Sequence, residues 1–216
     1  TWKYIIENSI HNATDVPYKE LGWYQLCGIV LFVFYREDMQ LRICSSAWNQ
    51  VRVGALAGKL ANKGGIAIGL RINDTSLVFV NSHLAAHQEF CEKRNKDFRE
   101  ISKMTLEYMQ NNQRSTLPLL DHDIVIWFGD LNYRVDMDDA EVRRLVKDCR
   151  VPRLLRFDQM ITARKTGKAF EGFEEGEIFF LPTFKIKIGD GDYKENRIPS
   201  WCDRVVYKTE RRHGVV

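Results

Sequence analysis

A short apolar run at residues 124–128 ends in the sequence Gly-Asp-Leu-Asn, residues 129–132, and this ending restricts what the chain can form. The run has the length and composition of a strand buried on both faces. If the backbone stays extended past Gly129, the side chains of Asp130 and Asn132 point to the same side. A carboxylate there can take a proton from water while a neutral amide donates to a phosphoryl oxygen. The alternative is a strand that ends in an ordinary turn, where Gly, Asp and Asn are common.

Two further predicted strands carry polar side chains at their ends. One strand leads to His83, and another begins at Asp203 beside Arg204. Three strands with titratable groups at their ends are expected to form one wall of an active site at the edge of a sheet. The structural alternatives are a capped strand end for His83 and an ion pair with Arg204 for Asp203. Asp203 is expected to be largely buried beside Trp201.

Apolar periodicity predicts a chain richer in strands than in helices. Predicted helices cover residues 1–12, 89–112 and 138–149, and predicted strands cover residues 27–35, 66–72, 76–81, 124–128, 177–181 and 203–207. Residues 73–75, Asn-Asp-Thr, are typical of a hairpin turn. Strands joined mostly by hairpins and loops exclude a regular βαβ pattern and favour an α+β arrangement with outer helices.

The length and charge of the chain set further bounds. A chain of 216 residues with 44% hydrophobic content can bury one sizeable core, so we expect a single domain over residues 1–216. The net charge is only +3, but no acidic residue occurs from 39 to 73, and a second basic run spans residues 143–156. Concentrated positive charge attracts anions over roughly 8–10 Å in physiological salt. For the second run, a solvated helix face is an equally good interpretation.

The cysteines and the hydropathy pattern indicate a cytoplasmic protein. Five cysteines form no Cys-x-x-Cys pair, and no apolar stretch is long enough to span a bilayer. None of the cysteines has an arginine six positions later, so the thiolate loop of cysteine-dependent phosphatases is not present in this sequence. If the chain is a phosphatase, its nucleophile should be water.

Several motifs together resemble a known enzyme family. The sequence contains GDLNYR at residues 129–134 and PSWCDR at residues 199–204, about seventy residues apart, with NKGG at 62–65 and PTFK at 182–185. In this order they resemble the inositol polyphosphate 5-phosphatases of the endonuclease/exonuclease/phosphatase superfamily, and the resemblance runs nearly end to end. It implies the DNase-like α+β fold of that superfamily, a two-layered β-sandwich flanked by helices, here incomplete.

The resemblance also implies roles for individual residues. Asp130 and Asn132 would prepare the attacking water, His83 would contact phosphoryl oxygens, and Asp203 would orient an imidazole. The substrate-binding residues that it implies or suggests are Lys63, Asn81, Tyr133, Lys185 and Arg197. Of these, Lys185 and Arg197 match the positions that grip the 4-phosphate in the family.

The sequence departs from the family pattern in two ways. Phe184 and Glu195 stand where the family usually has a tyrosine and a lysine, which weakens the expected grip on the 4-phosphate. The family segments that carry the Mg²⁺-binding glutamate and the C-terminal catalytic histidine are not found between Thr1 and Val216. We therefore expect a partial domain, truncated at both ends, whose metal ligand lies upstream of Thr1 and which is inactive by itself.

The expected function is Mg²⁺-dependent hydrolysis of the 5-phosphate of phosphoinositides or soluble inositol polyphosphates. One alternative is a non-catalytic phosphoinositide-binding pseudophosphatase, and another is a nuclease of the same superfamily. Lys185 and Arg197 argue against the nuclease and against nucleic acid as a partner. We also expect peripheral contact with a membrane surface through a loop at residues 54–60, where Leu56, Lys59 and Leu60 would touch lipid.

Overall fold

Helices and strands are unevenly distributed along the chain, which the computed structural model describes over residues 2–54 and 62–210. The helices are α1 (Trp2–Ala13), α2 (Cys91–Ser102), α3 (Asp139–Lys147), α4 (Val151–Leu155) and α5 (Gln159–Lys165). The strands are β1 (Tyr18–Leu26), β2 (Ile29–Arg36), β3 (Ile43–Val53), β4 (Lys63–Ile72), β5 (Thr75–His83), β6 (Thr105–Gln110), β7 (Gln113–Pro118), β8 (Ile124–Asp130) and β9 (Asp203–Thr209). Short 3₁₀ helices occur at Glu37–Arg42 and Leu119–Asp121.

A five-stranded mixed sheet in the order β3-β4-β5-β8-β9 forms the centre of the molecule. Neighbouring strands are antiparallel, except that β5 and β8 are parallel. The connection from β5 to β8 therefore crosses over the sheet, and it contains α2 and the β6–β7 hairpin. Because of this crossover, the C-terminal ends of β5 and β8 lie side by side.

The two faces of the sheet are covered by different elements. On one face, the fully buried Trp127 packs against Phe98 of α2, with ring centroids 5.0 Å apart, and the Trp127 indole donates to Ser82 Oγ. On the other face, the β1–β2 hairpin contributes Leu26 and Leu31 to a second cluster with β4. A sheet covered by a hairpin layer on one side and by helical structure on the other confirms the predicted α+β class.

The predicted hairpin turn at residues 73–75 and the predicted start of a helix at residue 138 are both confirmed. Asn73, with φ of +51°, forms the turn between β4 and β5, and asparagine tolerates this left-handed conformation. Asp138 caps α3 by accepting from the backbone N–H groups of Ala140 and Glu141 at 2.9 and 3.3 Å. Both depend on residues adjacent in the chain.

The predicted helix at residues 89–112 is wrong beyond Ser102. The chain turns into β6, and Asn111 and Asn112, with φ of +50° and +61°, make the hairpin to β7. Leu106 and Tyr108 alternate into the core and are fully buried. Along residues 105–109 of β6, every second side chain is buried, as in a strand, although the apolar spacing in the sequence is helical. Packing against the core therefore decides the conformation of this segment.

Three strand predictions also need correction. The strand expected at residues 27–35 begins only at Ile29, because Cys27, with φ of +53°, lies in the turn after β1. Residues 177–181 belong to none of the described strands; isolated bridges pair Glu174 with Tyr207 before them and Phe184 with Ser200 after them. Residues 124–128 form a strand as predicted, but only Val125 and Trp127 are fully buried, because the opposite face is partly exposed.

The predicted membrane contacts fall mostly outside the described part of the chain. Leu56, Lys59 and Leu60, expected to touch lipid, all lie outside the described residues. None of the helices in the described ranges combines the length and the apolar character that crossing a bilayer requires.

Candidate active site

The register of the sheet brings three predicted site residues into one row. His83 pairs with Asp130 across the parallel strands β5 and β8, and Asp130 pairs with Asp203 across the antiparallel strands β8 and β9. The Nε2 atom of His83 lies 3.2 Å from Oδ2 of Asp130. Residues far apart in the chain thus meet at one edge of the sheet, where a ligand can reach them.

A strained backbone shapes the turn after β8. Gly129 has φ of +126°, and a Cβ atom there would lie 2.2 Å from the carbonyl oxygen of Ser82. Only glycine therefore lets β8 approach β5 closely enough for the backbone N–H of Leu84 to donate to the Asp130 carbonyl at 3.0 Å. Asn132 has φ of +56°, so the extended backbone expected past Gly129 is wrong.

The Asn132 side chain supports the loop. Its Nδ2 atom donates to the Leu84 carbonyl at 3.1 Å, and its Oδ1 atom accepts from Arg134 Nη2 at 2.7 Å. Its backbone N–H donates to Asp130 Oδ1 at 3.2 Å, which orients that carboxylate. The amide that was expected to donate to a phosphoryl oxygen is instead bonded to protein, because Asn132 is buried against the loop after His83.

Lys63 extends the polar row on the side of β4. Its ammonium group is in close contact with Nε2 of His83. Partial burial lowers the pKa of Lys63, and the nearby charge of Asp130 partly opposes this effect. Lys63, His83 and Asp130 therefore form one connected set of titratable groups.

A cavity of about 410 Å³ lies over this row. It gathers five of the predicted residues, which come from β5, from β8 and the turn after it, and from the segment that precedes β9: His83, Asp130, Asn132, Lys185 and Arg197. The segment that carries the last two is folded back on itself, since Lys194 N–H donates to the Lys185 carbonyl at 2.9 Å. Phe184 and Ser200 also exchange backbone hydrogen bonds of 3.0 and 2.9 Å.

Three residues predicted to bind substrate do not line the cavity: Lys63, which contacts His83 beside it, and Tyr133 and Asn81. Tyr133 is fully buried, its hydroxyl donates to Asn95 Oδ1 at 2.7 Å, and burial raises its pKa. Asn81 turns toward the β1–β2 layer, where its Nδ2 atom donates to the Val30 carbonyl at 3.0 Å. Both predictions are corrected: Tyr133 faces the core, and Asn81 is held by the neighbouring hairpin.

Asp203 differs from its prediction in burial and in partner. The residue is exposed at the edge strand β9, and Arg204 points to the opposite face, because side chains alternate along a strand. Arg204 instead pairs with Asp158 and Glu175. Partial burial of the Asp203 carboxyl group, together with the negative charge of Asp130, raises the pKa of Asp203. The two carboxylates are therefore close enough to repel each other.

Sequence reasoning missed the residues that hold the loop after His83. Asp97 Oδ2 accepts from the Ala85 N–H at 3.0 Å, and Arg94 donates to the carbonyls of Ala85 and His87 at 3.0 and 2.6 Å. Arg94 and Asp97 both belong to α2, and both are buried. Their position on the same helix face as Phe98 was the available signal, since a charge on an apolar face needs partners.

Gln88, Arg134 and Asn196 were likewise not predicted to bind ligand, and they line the cavity.

The donor groups suit Mg²⁺ as a partial set. In the described part of the chain, no three His, Cys, Asp or Glu side chains are grouped closely enough to hold a metal ion. However, Mg²⁺ is often held by one or two carboxylates together with water and substrate phosphates. The mutual repulsion of Asp130 and Asp203 is what a cation would relieve, so this pair fits such a role.

Comparison with known proteins identifies relatives over nearly the whole chain. Residues 1–215 match the model of the family described as endonuclease/exonuclease/phosphatase family 2. A type II inositol 1,4,5-trisphosphate 5-phosphatase of Mus musculus is 36% identical over 212 residues, covering 96% of this chain and 21% of that protein. Synaptojanin-1 of Homo sapiens is 36% identical over 213 residues, covering 97% of this chain and 13% of that protein. The chain thus spans only 21% and 13% of the length of these two relatives.

Solved structures agree on the fold. The inositol polyphosphate 5-phosphatase domain of SPsynaptojanin, in complex with inositol (1,4)-bisphosphate and calcium ion, matches with a TM-score of 0.84 and 31% identity. The match covers 97% of this chain and 60% of that one. A Cimex nitrophorin, 23% identical with a TM-score of 0.73, shares the fold alone. Because this fold occurs in proteins with such different names, function must be argued from the site.

Proposed function

This chain belongs to endonuclease/exonuclease/phosphatase family 2, and from that premise we propose that it is part of an inositol polyphosphate 5-phosphatase. The observation that carries the proposal is one cavity that combines the His83–Asp130 pair with Lys185 and Arg197. The names of its relatives, inositol 5-phosphatases and synaptojanins, support the same substrate class.

The charge of the cavity favours a phosphorylated ligand. Among the residues that line it, Arg134, Lys185 and Arg197 are cationic, whereas Asp130 is the one carboxylate. Such an excess of positive charge in a concave site concentrates anions. Guanidinium and ammonium groups also form short, charge-assisted hydrogen bonds to phosphate oxygens.

The reaction that we propose is the attack of water on the 5-phosphate. The water oxygen bonds to phosphorus, its proton passes to Asp130, and the inositol oxygen leaves and takes up a proton from solvent. His83 would contact the phosphoryl oxygens, and Asn132 would keep Asp130 oriented through the loop. Asp203 would hold Mg²⁺ beside Asp130, and the ion when bound would supply positive charge to the phosphoryl oxygens.

The cellular setting follows from the substrate. We propose phosphoinositides or soluble inositol polyphosphates as substrates, with no nucleic acid partner. A lipid substrate would place the protein in the cytoplasm, peripherally on a membrane. Five cysteines without a Cys-x-x-Cys pair are compatible with a reducing compartment.

Replacing Asp130 with Asn tests the assignment. In the full-length protein with Mg²⁺, phosphate release from phosphatidylinositol 4,5-bisphosphate should fall by about 10²- to 10⁴-fold, the usual cost of losing a catalytic base. Asp148→Asn is the matched control, because this exposed carboxylate lies at the C-terminal end of α3, away from the cavity. Near-normal phosphate release by Asp130→Asn would refute the role of Asp130.

The same preparation distinguishes the two alternative functions. A pseudophosphatase would bind inositol (1,4)-bisphosphate but release no phosphate from phosphatidylinositol 4,5-bisphosphate, even as the wild type. A nuclease would degrade an oligonucleotide and leave the lipid intact.

A further inference from the structure

The motifs GDLNYR and PSWCDR each end in an arginine, Arg134 and Arg204. The two arginines are buried to a similar degree but differ in their partners. Arg134 is 6% exposed and Arg204 is 4% exposed. Arg204 Nη1 lies 3.0 Å from Asp158 Oδ2, and its Nε atom lies 2.6 Å from Glu175 Oε1. The positive charge of Arg204 is therefore balanced by two carboxylates inside the protein.

Arg134 has no such balance. Over residues 2–54 and 62–210, it forms no ion pair with any carboxylate. Its Nε and Nη2 atoms donate to the backbone and side-chain oxygens of Asn132 at 3.0 and 2.7 Å. Its guanidinium carbon lies 4.2 Å from the ring centroid of Phe184. These contacts are neutral dipoles and a ring face, which leave a buried charge without a counter-charge.

A third buried arginine shows how the protein satisfies such a charge without carboxylates. Arg94 is fully buried, and it donates to three backbone carbonyls and to Gln159 Oε1. Arg94 does not line the cavity, whereas Arg134 does, together with Lys185 and Arg197. Of these three buried arginines, Arg134 has the charge that protein groups compensate least, and Arg134 is the one that a ligand in the cavity can reach.

We propose that Arg134 binds a phosphate group of the ligand directly, so that the ligand supplies the counter-charge missing from the protein. The inference rests on the proposed function and extends it by naming a further phosphate-binding residue. The phosphate concerned is the one held by Lys185 and Arg197, since these side chains line the cavity with Arg134. Phe184, whose ring stacks on the guanidinium, offers no hydroxyl there, and Arg134 provides the donor in its place.

Arg134→Gln tests the proposal through two readouts with opposite expectations. Removing an uncompensated buried charge should leave the melting temperature of the ligand-free protein unchanged or raised. The same change should weaken the binding of inositol (1,4)-bisphosphate, measured by calorimetry on the full-length protein, by about tenfold or more. Inositol 1-phosphate, which lacks the second phosphate, should bind wild type and variant with similar affinity.

Arg204→Gln is the matched control, because it makes the same change at an equally buried arginine. It leaves Asp158 and Glu175 without their cation, so the melting temperature should fall sharply. If Arg134→Gln also lowers the melting temperature sharply or fails to fold, Arg134 is a structural residue and the proposal is wrong. Unchanged affinity for inositol (1,4)-bisphosphate would also overturn it.

The outcome also separates this inference from the proposed function. Wild-type protein that binds inositol (1,4)-bisphosphate in an Arg134-dependent way, but releases no phosphate from the lipid, would support the inference and refute the enzymatic activity. Phosphate release that is insensitive to Arg134→Gln would support the enzymatic activity and refute the inference. Wild-type protein that does not bind inositol (1,4)-bisphosphate would overturn the inference.

Discussion

At the scale of single residues, burial decides which titratable groups belong to the site and which belong to the core. His122, just before β8, is fully buried. Its Nδ1 atom lies 3.0 Å from the Leu119 carbonyl, and its Nε2 atom lies 2.7 Å from the Tyr108 hydroxyl. Burial lowers the pKa of His122, which is therefore held in the neutral form, whereas His83 stands at the cavity.

The lowered pKa of His122 predicts a loss of stability in acid. As pH falls below the ordinary value of 6.5, the unfolded chain takes up a proton that the folded protein does not, so the free energy of unfolding decreases. In His122→Gln, which keeps one donor and one acceptor, this decrease should be smaller. One proton accounts for at most about 1.4 kcal/mol per pH unit, which corresponds to roughly 3–6 °C in melting temperature.

Melting curves recorded from pH 7.5 down to 5.0 provide the measurement. Wild type and His122→Gln should converge as pH falls, because the variant lacks the group whose protonation favours unfolding. Parallel curves over this range would show that His122 does not contribute to acid sensitivity.

At the scale of elements, α3 holds the segment that carries Lys185 and Arg197, two of the cationic side chains of the cavity. Arg143 Nε donates to Asp139 on the same helix at 2.8 Å. Its Nη2 atom donates to the carbonyls of Lys194, Glu195 and Arg197 at 2.8, 3.1 and 3.1 Å. One guanidinium therefore gathers three carbonyls of this segment, which also places Arg197 at the cavity. The basic run of residues 143–156 thus includes at least one positioning residue.

Arg143→Gln should loosen this segment without removing any group that lines the cavity. We expect KM for a substrate with a 4-phosphate to rise by about tenfold, because hydrogen bonds from a charged donor are lost, while kcat changes little. Substrates without the 4-phosphate should be affected less. Steady-state kinetics with phosphatidylinositol 4,5-bisphosphate and phosphatidylinositol 5-phosphate make the comparison.

Arg144→Gln is the control on the neighbouring position. Arg144 pairs with Glu141 and Asp148 on the exposed side of α3, and none of these residues lines the candidate active site. Its kinetic constants should match those of wild type. An equal loss of kcat with both lipids in Arg143→Gln would indicate a general structural defect and contradict a positioning role.

At the scale of the whole molecule, the two ends of the central sheet differ in chemistry. The C-terminal ends of β5 and β8 carry the polar row, and the segment beside it exposes Ile186 and, completely, Ile188. At the opposite end, near the β4–β5 turn, Leu41 is also completely exposed. The two ends therefore offer exposed apolar side chains of similar size, and Ile186 and Ile188 lie in the same segment as Lys185, which lines the cavity.

This asymmetry allows a test for membrane contact during catalysis. If the cavity rim meets a bilayer, Ile188→Ser should reduce hydrolysis of phosphatidylinositol 4,5-bisphosphate in vesicles several-fold, because burial of an aliphatic side chain at the interface is lost. Hydrolysis of soluble inositol 1,4,5-trisphosphate should not change. Leu41→Ser, at the far end of the sheet, should leave both rates unchanged. Equal vesicle rates for the two variants would argue against membrane contact by this rim.

Much of the site could be predicted from short stretches of sequence, because those signals act between neighbours in the chain. The apolar run before Gly129 specified β8, the Asn-Asp turn specified the β4–β5 hairpin, and Asp138 specified the start of α3. The motifs around Asp130 and Asp203 were sufficient to identify the family.

Only the tertiary structure decided which of the motif residues face the cavity and how their charges are balanced. Tyr133 and Arg134 are adjacent in sequence, yet one is sealed in the core and the other reaches the ligand cavity. The β6–β7 hairpin replaced a helical pattern for the same reason. Burial and ion pairing depend on groups that the fold brings together from distant parts of the chain, and no local pattern contains that information.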